Sequence, residues 1–157
     1  MRYRCTPGSY QQRTHPTYIG CKNGFPSFNA FVEWHREQPG YCLGHEIDKD
    51  LLVKGNKVYG LDTCCLIPRE INMMVQGPHR SNTGMPVGVY FDKVRGNYQA
   101  QCGGSNKLGR HPTAESAFAA YKVYKEAKLK ELAEKWKDTL CTRAYEALMN
   151  YEVTPYY

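Results

Sequence analysis

The sequence predicts an α+β protein of two small modules: a strand–strand–helix unit, then a three-stranded antiparallel sheet packed on a long helix. Three observations predict it. Apolar alternation around residues 42–59 gives way to helical spacing at Ile67, Ile71 and Met74. The stretch 76–86 (QGPHRSNTGMP) is dense in turn formers and has no periodicity. Strand patterns then restart at Pro86 and end in a long helical run after Thr113.

The elements follow in order. Residues 1–26 hold Pro7, Gly8, Pro16, Gly20, Gly24 and Pro26 among basic residues, so irregular structure is expected. Ser27 caps a helix from Phe28 to about Gln38, with Phe28, Phe31, Val32 and Trp34 available for packing. A hairpin is expected next: Cys42 to Leu52, a turn at Lys54–Lys57, then Val58–Tyr59. The following helix begins near Pro68, a residue suited to a first turn. After the linker, strands are expected at Pro86–Lys93 and Asn97–Cys102, with Lys107–Gly109 the core of a short third. Thr113 caps the long helix, whose apolar stripe is Ala117, Ala120, Tyr121 and Tyr124, and a last helix runs from Thr142 to Tyr151. Residues 1–75, a linker at 76–86 and residues 87–157 are thus the expected divisions.

Composition narrows the function classes. The 157 residues carry 21 Lys+Arg against 15 Asp+Glu, a net charge of +6 that suits a polyanionic partner. No apolar run has the length of a membrane span, and the N-terminus lacks the apolar core of a signal peptide, so a cytoplasmic protein is expected. Seven cysteines, an odd number, argue against a complete disulfide framework. They include no CxxC pair, and structural zinc needs about four converging ligands. Cys5, Cys21 and Cys64 would converge only by long-range folding, so buried thiols are the expectation and structural zinc is not favoured.

In His45-Glu46-Ile47-Asp48-Lys49-Asp50 two carboxylates flank a lysine, and Asn72 follows on the next helix. A carboxylate and an amide oxygen are hard ligands suited to Mg²⁺ or Mn²⁺. A solvated surface turn is the ordinary alternative. The segment IDKDLLVKGNKVYGLDTCCLIPREIN, with PTYIGC and FNAFVEW upstream, resembles the ββα-metal segment of HNH-type homing endonucleases in the form that phages encode. The resemblance implies a metal-dependent DNA endonuclease working in the bacterial host cytoplasm. It puts Asp48 and Asn72 at the metal ligands, and Thr63 where the family has an Asn that fastens the hairpin loop. Lys49 falls where the family has the His that activates water. Lysine ordinarily titrates near 10.4, so it suits a phosphate contact better than a proton acceptor. His45 is no substitute, lying about 13 Å along a strand from position 49.

The second half, with Gly88-Val89, Tyr98-Gln99-Ala100, Leu108-Gly109 and TAESAFAAY, resembles the Apetala/ethylene-response type of DNA-binding domain. That resemblance implies a sheet applied to the major groove of double-stranded DNA, with contact positions at Tyr90, Asp92, Gln101 and Lys107. Gln99 and Gln101 are candidate adenine readers, and Lys93, Arg95, Lys107 and Arg110 candidate backbone contacts. An aspartate at position 92 is unfavourable beside phosphate. The lysines of the long helix, Lys125 among them, alternate with Glu126, Glu131 and Glu134 and read as a solvated face. From another class comes a non-catalytic descendant that keeps the fold and binds DNA or a host defence or replication protein.

Overall fold

A computed structural model describes residues 2–76, 84–103 and 106–155. The linker residues 77–83 lie outside the described residues. The chain divides into two compact units, Met1–Arg69 with Trp136–Ala147, and Glu70–Lys135 with Leu148–Tyr157. Among the described residues, no helix is long and apolar enough to cross a membrane.

The first unit begins with short pieces where irregular structure was expected. A 3-10 turn at Arg2–Arg4 precedes helix α1 (Tyr10–Thr14), and strand β1 covers Lys22–Asn23. The buried amide of Gln12 ties this segment together, donating to the carbonyls of Arg4 and Tyr18 at 3.0 and 3.1 Å. Helix α2 (Phe28–Glu37) starts where its cap predicts, with Ser27 Oγ accepting from the Ala30 N–H at 3.0 Å. Trp34 is its buried anchor, whereas Phe28 faces solvent.

Strand pairing departs from the expected hairpin. Strand β2 (Glu46–Asp48) pairs antiparallel with β4 (Cys65–Ile67), and β3 (Val58–Tyr59) pairs parallel with β1. The reason is local: β2 stops at Asp48, whose side chain caps the turn that follows. Residues 49–57 therefore form a loop rather than a returning strand. The core gathers Cys21, Phe25, Trp34, Tyr59, Cys64 and Leu66, with Cys5 packed against it.

Helix α3 (Arg69–Gln76) follows Pro68 as expected, but all of it beyond Arg69 belongs to the second unit. A ββα module closed within the first unit is therefore not what the fold displays. In the second unit β5 (Val89–Asp92), β6 (Asn97–Cys102) and β7 (Asn106–His111) form an antiparallel sheet in the order β5-β6-β7. Helix α4 (Ala114–Trp136) is capped by Thr113 Oγ1, which accepts from the Ser116 N–H at 3.2 Å. Its Ala117 packs with Val89 and Ala100 of the sheet. Gly88, with φ +74°, admits the Tyr121 ring where any Cβ would collide with it.

Lys125 corrects the reading of α4 as carrying only solvated lysines. It is fully buried, its Nζ 5.7 Å from the Tyr121 ring centroid and 5.9 Å from that of Tyr151. Aromatic faces offer a buried ammonium the negative end of their quadrupoles. Helix α5 (Thr142–Met149) ends two residues before the expected Tyr151.

Candidate nucleic-acid interface

The loop after β2 is where the HNH-type positions fall in the first unit. Asp48 Oδ1 accepts from the N–H groups of Asp50 and Leu51 at 2.9 and 2.6 Å, satisfying donors that a turn would otherwise leave unmet. Asp48 is buried, and that burial pushes its carboxyl above the ordinary range despite these hydrogen bonds. Lys49 is buried too. Its ammonium donates to both Asp50 oxygens at 2.6 and 2.7 Å and to the Asn56 carbonyl at 2.7 Å, so all three donors hold the loop.

Asn56, which sequence reasoning passed over, is the clasp of the same loop. Its amide donates to the Lys49 and Val58 carbonyls at 3.0 and 2.6 Å, and its Oδ1 accepts from the Val58 N–H at 2.9 Å. The Gly55-Asn56 pair was the available signal, since Asn side chains bond to nearby backbone in turns. Thr63 fastens the next bend, donating to the Val58 carbonyl at 2.7 Å. His45 sits against the Trp136 ring, centroids 5.6 Å apart, with Nε2 3.1 Å from Thr139 Oγ1.

The fit of a divalent ion follows from these bonds. Two N–H groups occupy Asp48 Oδ1, and Asn72 Oδ1, in the second unit, accepts from Gln76 Nε2 at 2.8 Å. As arranged, the two oxygens named as ligands are working as turn and helix acceptors. Cys5, Cys21 and Cys64 do converge, which spacing alone did not reveal, but in an apolar cluster. Burial pushes the Cys5 thiol up and that of Cys64 to about 11, away from the thiolate a metal requires. Among the described residues, no group of three or more His, Cys, Asp and Glu is arranged to hold a metal ion.

In the second unit the sequence-selected residues come together. Directly opposed residues of an antiparallel sheet share a face. Tyr90 opposes Gln99, Gln99 opposes Arg110, Asp92 opposes Asn97, and Gln101 opposes Lys107. All seven therefore lie on one face, opposite the one that carries Val89, Ala100 and Leu108 toward α4. A β-bulge makes this possible: β7 advances three residues, from Lys107 to Arg110, while β6 advances two. Without that extra residue Lys107 and Arg110 would face opposite sides. Gly109, at φ +103°, supplies the backbone that the bulge needs.

Asp92 is the electrostatic centre of this face. Its Oδ1 accepts from the Val94 and Arg95 N–H groups at 3.1 and 3.2 Å. Its Oδ2 accepts from Arg110 Nη1 at 2.7 Å and Arg95 Nη1 at 3.2 Å. The Arg110 hydrogen bond first, then those from Arg95, bring the Asp92 carboxyl down to about 2. Asp92 is thus a neutralised anchor, and the repulsion expected of it toward phosphate is offset by two arginines. Lys93 and Arg95 stand in the β5–β6 turn, Lys107 at the other end of the face. Set against family models, curated proteins and solved structures, the chain matches none.

Proposed function

We propose that this chain binds double-stranded DNA through the free face of its three-stranded sheet, as an HNH-related phage protein of the host cytoplasm. One observation carries the reading: the cross-strand row Tyr90–Gln99–Arg110 puts amide and guanidinium groups side by side on the face away from α4. Such groups read base edges, and a sheet face fits the major groove. Lys93 and Arg95 at one end and Lys107 at the other are separated by the length of β6, about 17 Å at ~3.4 Å per residue. That spacing suits phosphates on either side of a groove about 12 Å wide.

Titration of a duplex of about 20 base pairs, at salt from about 50 to 200 mM, tests this directly. The expected result is binding that weakens steeply with salt. A Lys93→Ala/Lys107→Ala double variant flattens the log–log slope by about 2. Lys130→Ala, on exposed α4 surface, leaves the slope alone. A wild-type protein that does not bind at low salt removes the proposal.

The second reading is metal-dependent phosphodiester cleavage, for which the resemblance implies Asp48 and Asn72 as ligands of Mg²⁺ or Mn²⁺, Lys49 at the position of the water-activating His and Thr63 at that of the loop-fastening Asn. The family resemblance supports it. The hydrogen bonds of Asp48 Oδ1 and the Lys49 ammonium favour instead the binding-only form, which leaves room for a host protein as a further partner. In plasmid nicking with either ion, the binding-only form gives no product. Nicking by wild type that disappears in Asp48→Ala establishes cleavage.

A further inference from the structure

We infer that Asp92 is a specificity-positioning residue that holds Arg110 to read guanine, with Gln99 beside it reading an adjacent adenine. The inference rests on the DNA-binding reading above and adds the base sequence that the sheet prefers. Both N–H bonds of Arg110 Nη1 are used: one to Asp92 Oδ2 at 2.7 Å, reaching past Asn97, and one to Asn97 Oδ1 at 3.2 Å. Nη2 and Nε have no partner among the described residues. A guanidinium pinned at one nitrogen and open along its other edge is pre-organised for two parallel acceptors. Guanine presents such a pair, O6 and N7, in the major groove.

Gln99 is the direct cross-strand neighbour of Arg110, and its side-chain amide has no hydrogen-bond partner among the described residues. A glutamine amide pairs bidentately with adenine N6 and N7. Cross-strand neighbours on one face have Cβ atoms about 5 Å apart. Base pairs stack about 3.4 Å apart. Two long side chains close that difference, so Arg110 and Gln99 meet successive base pairs. Arg95, also on Asp92 but in the exposed turn, lies off this row and serves the backbone.

Asp92 therefore acts through Arg110 rather than by touching DNA. Losing its charge should relax base choice more than affinity, because Arg110 remains a cation near phosphate. A purely structural role would lower binding to every sequence alike.

Selection from a randomised duplex pool by the full chain distinguishes these outcomes. The expected result is a guanine next to an adenine in the wild-type consensus. Asp92→Asn loses about tenfold discrimination at the guanine and keeps the adenine, while Gln99→Ala does the reverse. If Asp92→Asn fails to fold by thermal melting, Arg110→Lys keeps the sheet's charge, cannot form the anchored fork, and is expected to lose the same guanine. Wild type that binds duplexes without base preference overturns the inference and leaves the DNA-binding reading standing. So does guanine selection that survives both Asp92→Asn and Arg110→Lys. Wild type that binds no duplex overturns the DNA-binding reading itself, and the inference with it.

Discussion

Asp48 shows how one side chain reads differently from sequence and from its surroundings. Its place in the HNH-like segment suggests a metal ligand, yet its Oδ1 takes two backbone N–H groups and its carboxyl is raised by burial. The folded protein therefore keeps the Asp48 proton to higher pH than the unfolded chain does. Stability contributed at this site is highest below about 3.9, the unfolded value, and declines as pH rises through the raised folded value. Asp48→Asn keeps an acceptor for both N–H groups and removes the buried charge. It is expected to match or exceed wild-type stability at neutral pH and to flatten the decline above about 3.9. Asp48→Ala leaves the two donors unmet and is expected to cost about 1–3 kcal/mol. Urea unfolding across pH checks both, and equal losses for Asn and Ala would contradict the capping role. Lys49 and Asn56 carry the same lesson: a charged or amide side chain in a Gly-containing loop is legible as turn chemistry, but its exact partners are not.

At the scale of elements, what was legible was local. The Ser27 and Thr113 caps set the starts of α2 and α4 because an N-cap bond spans three residues. Strands β5 and β6 lie within the expected segments and β7 extends on both sides of its expected core, Lys107–Gly109, since alternation along a strand marks its inner face. Pairing was less legible, because periodicity reveals that Val58–Tyr59 is extended and not that its partner is Lys22–Asn23. The bulge in β7 was also hidden, being a property of register between two strands. It makes a definite demand on Gly109, whose φ of +103° suits no residue with a Cβ. Gly109→Ala is expected to cost about 1–2 kcal/mol in urea unfolding. Duplex binding weakens with it if the shifted register turns Lys107 or Arg110 off the face. Unchanged stability would mean that the bulge tolerates an ordinary backbone.

For the whole molecule, the net charge of +6 pointed only loosely to a polyanion. The fold gives part of that charge a surface, the sheet face with cations at both ends. It also withdraws lysines: the Lys49 ammonium is spent inside its own loop, and Lys125 is buried among Tyr121 and Tyr151 rather than exposed on α4. A regular alternation of Lys and Glu hid the burial of Lys125 from the sequence, since a single inward position does not disturb the pattern. The central claim is that the free sheet face, and not the helix, meets DNA. Amide chemical-shift mapping of the full chain during addition of a duplex tests this most directly. Perturbations concentrated in Tyr90–Gln101 and Lys107–Arg110 are the expected result; a map centred on the exposed α4 surface around Val123 and Lys130, with the sheet unmoved, would contradict it.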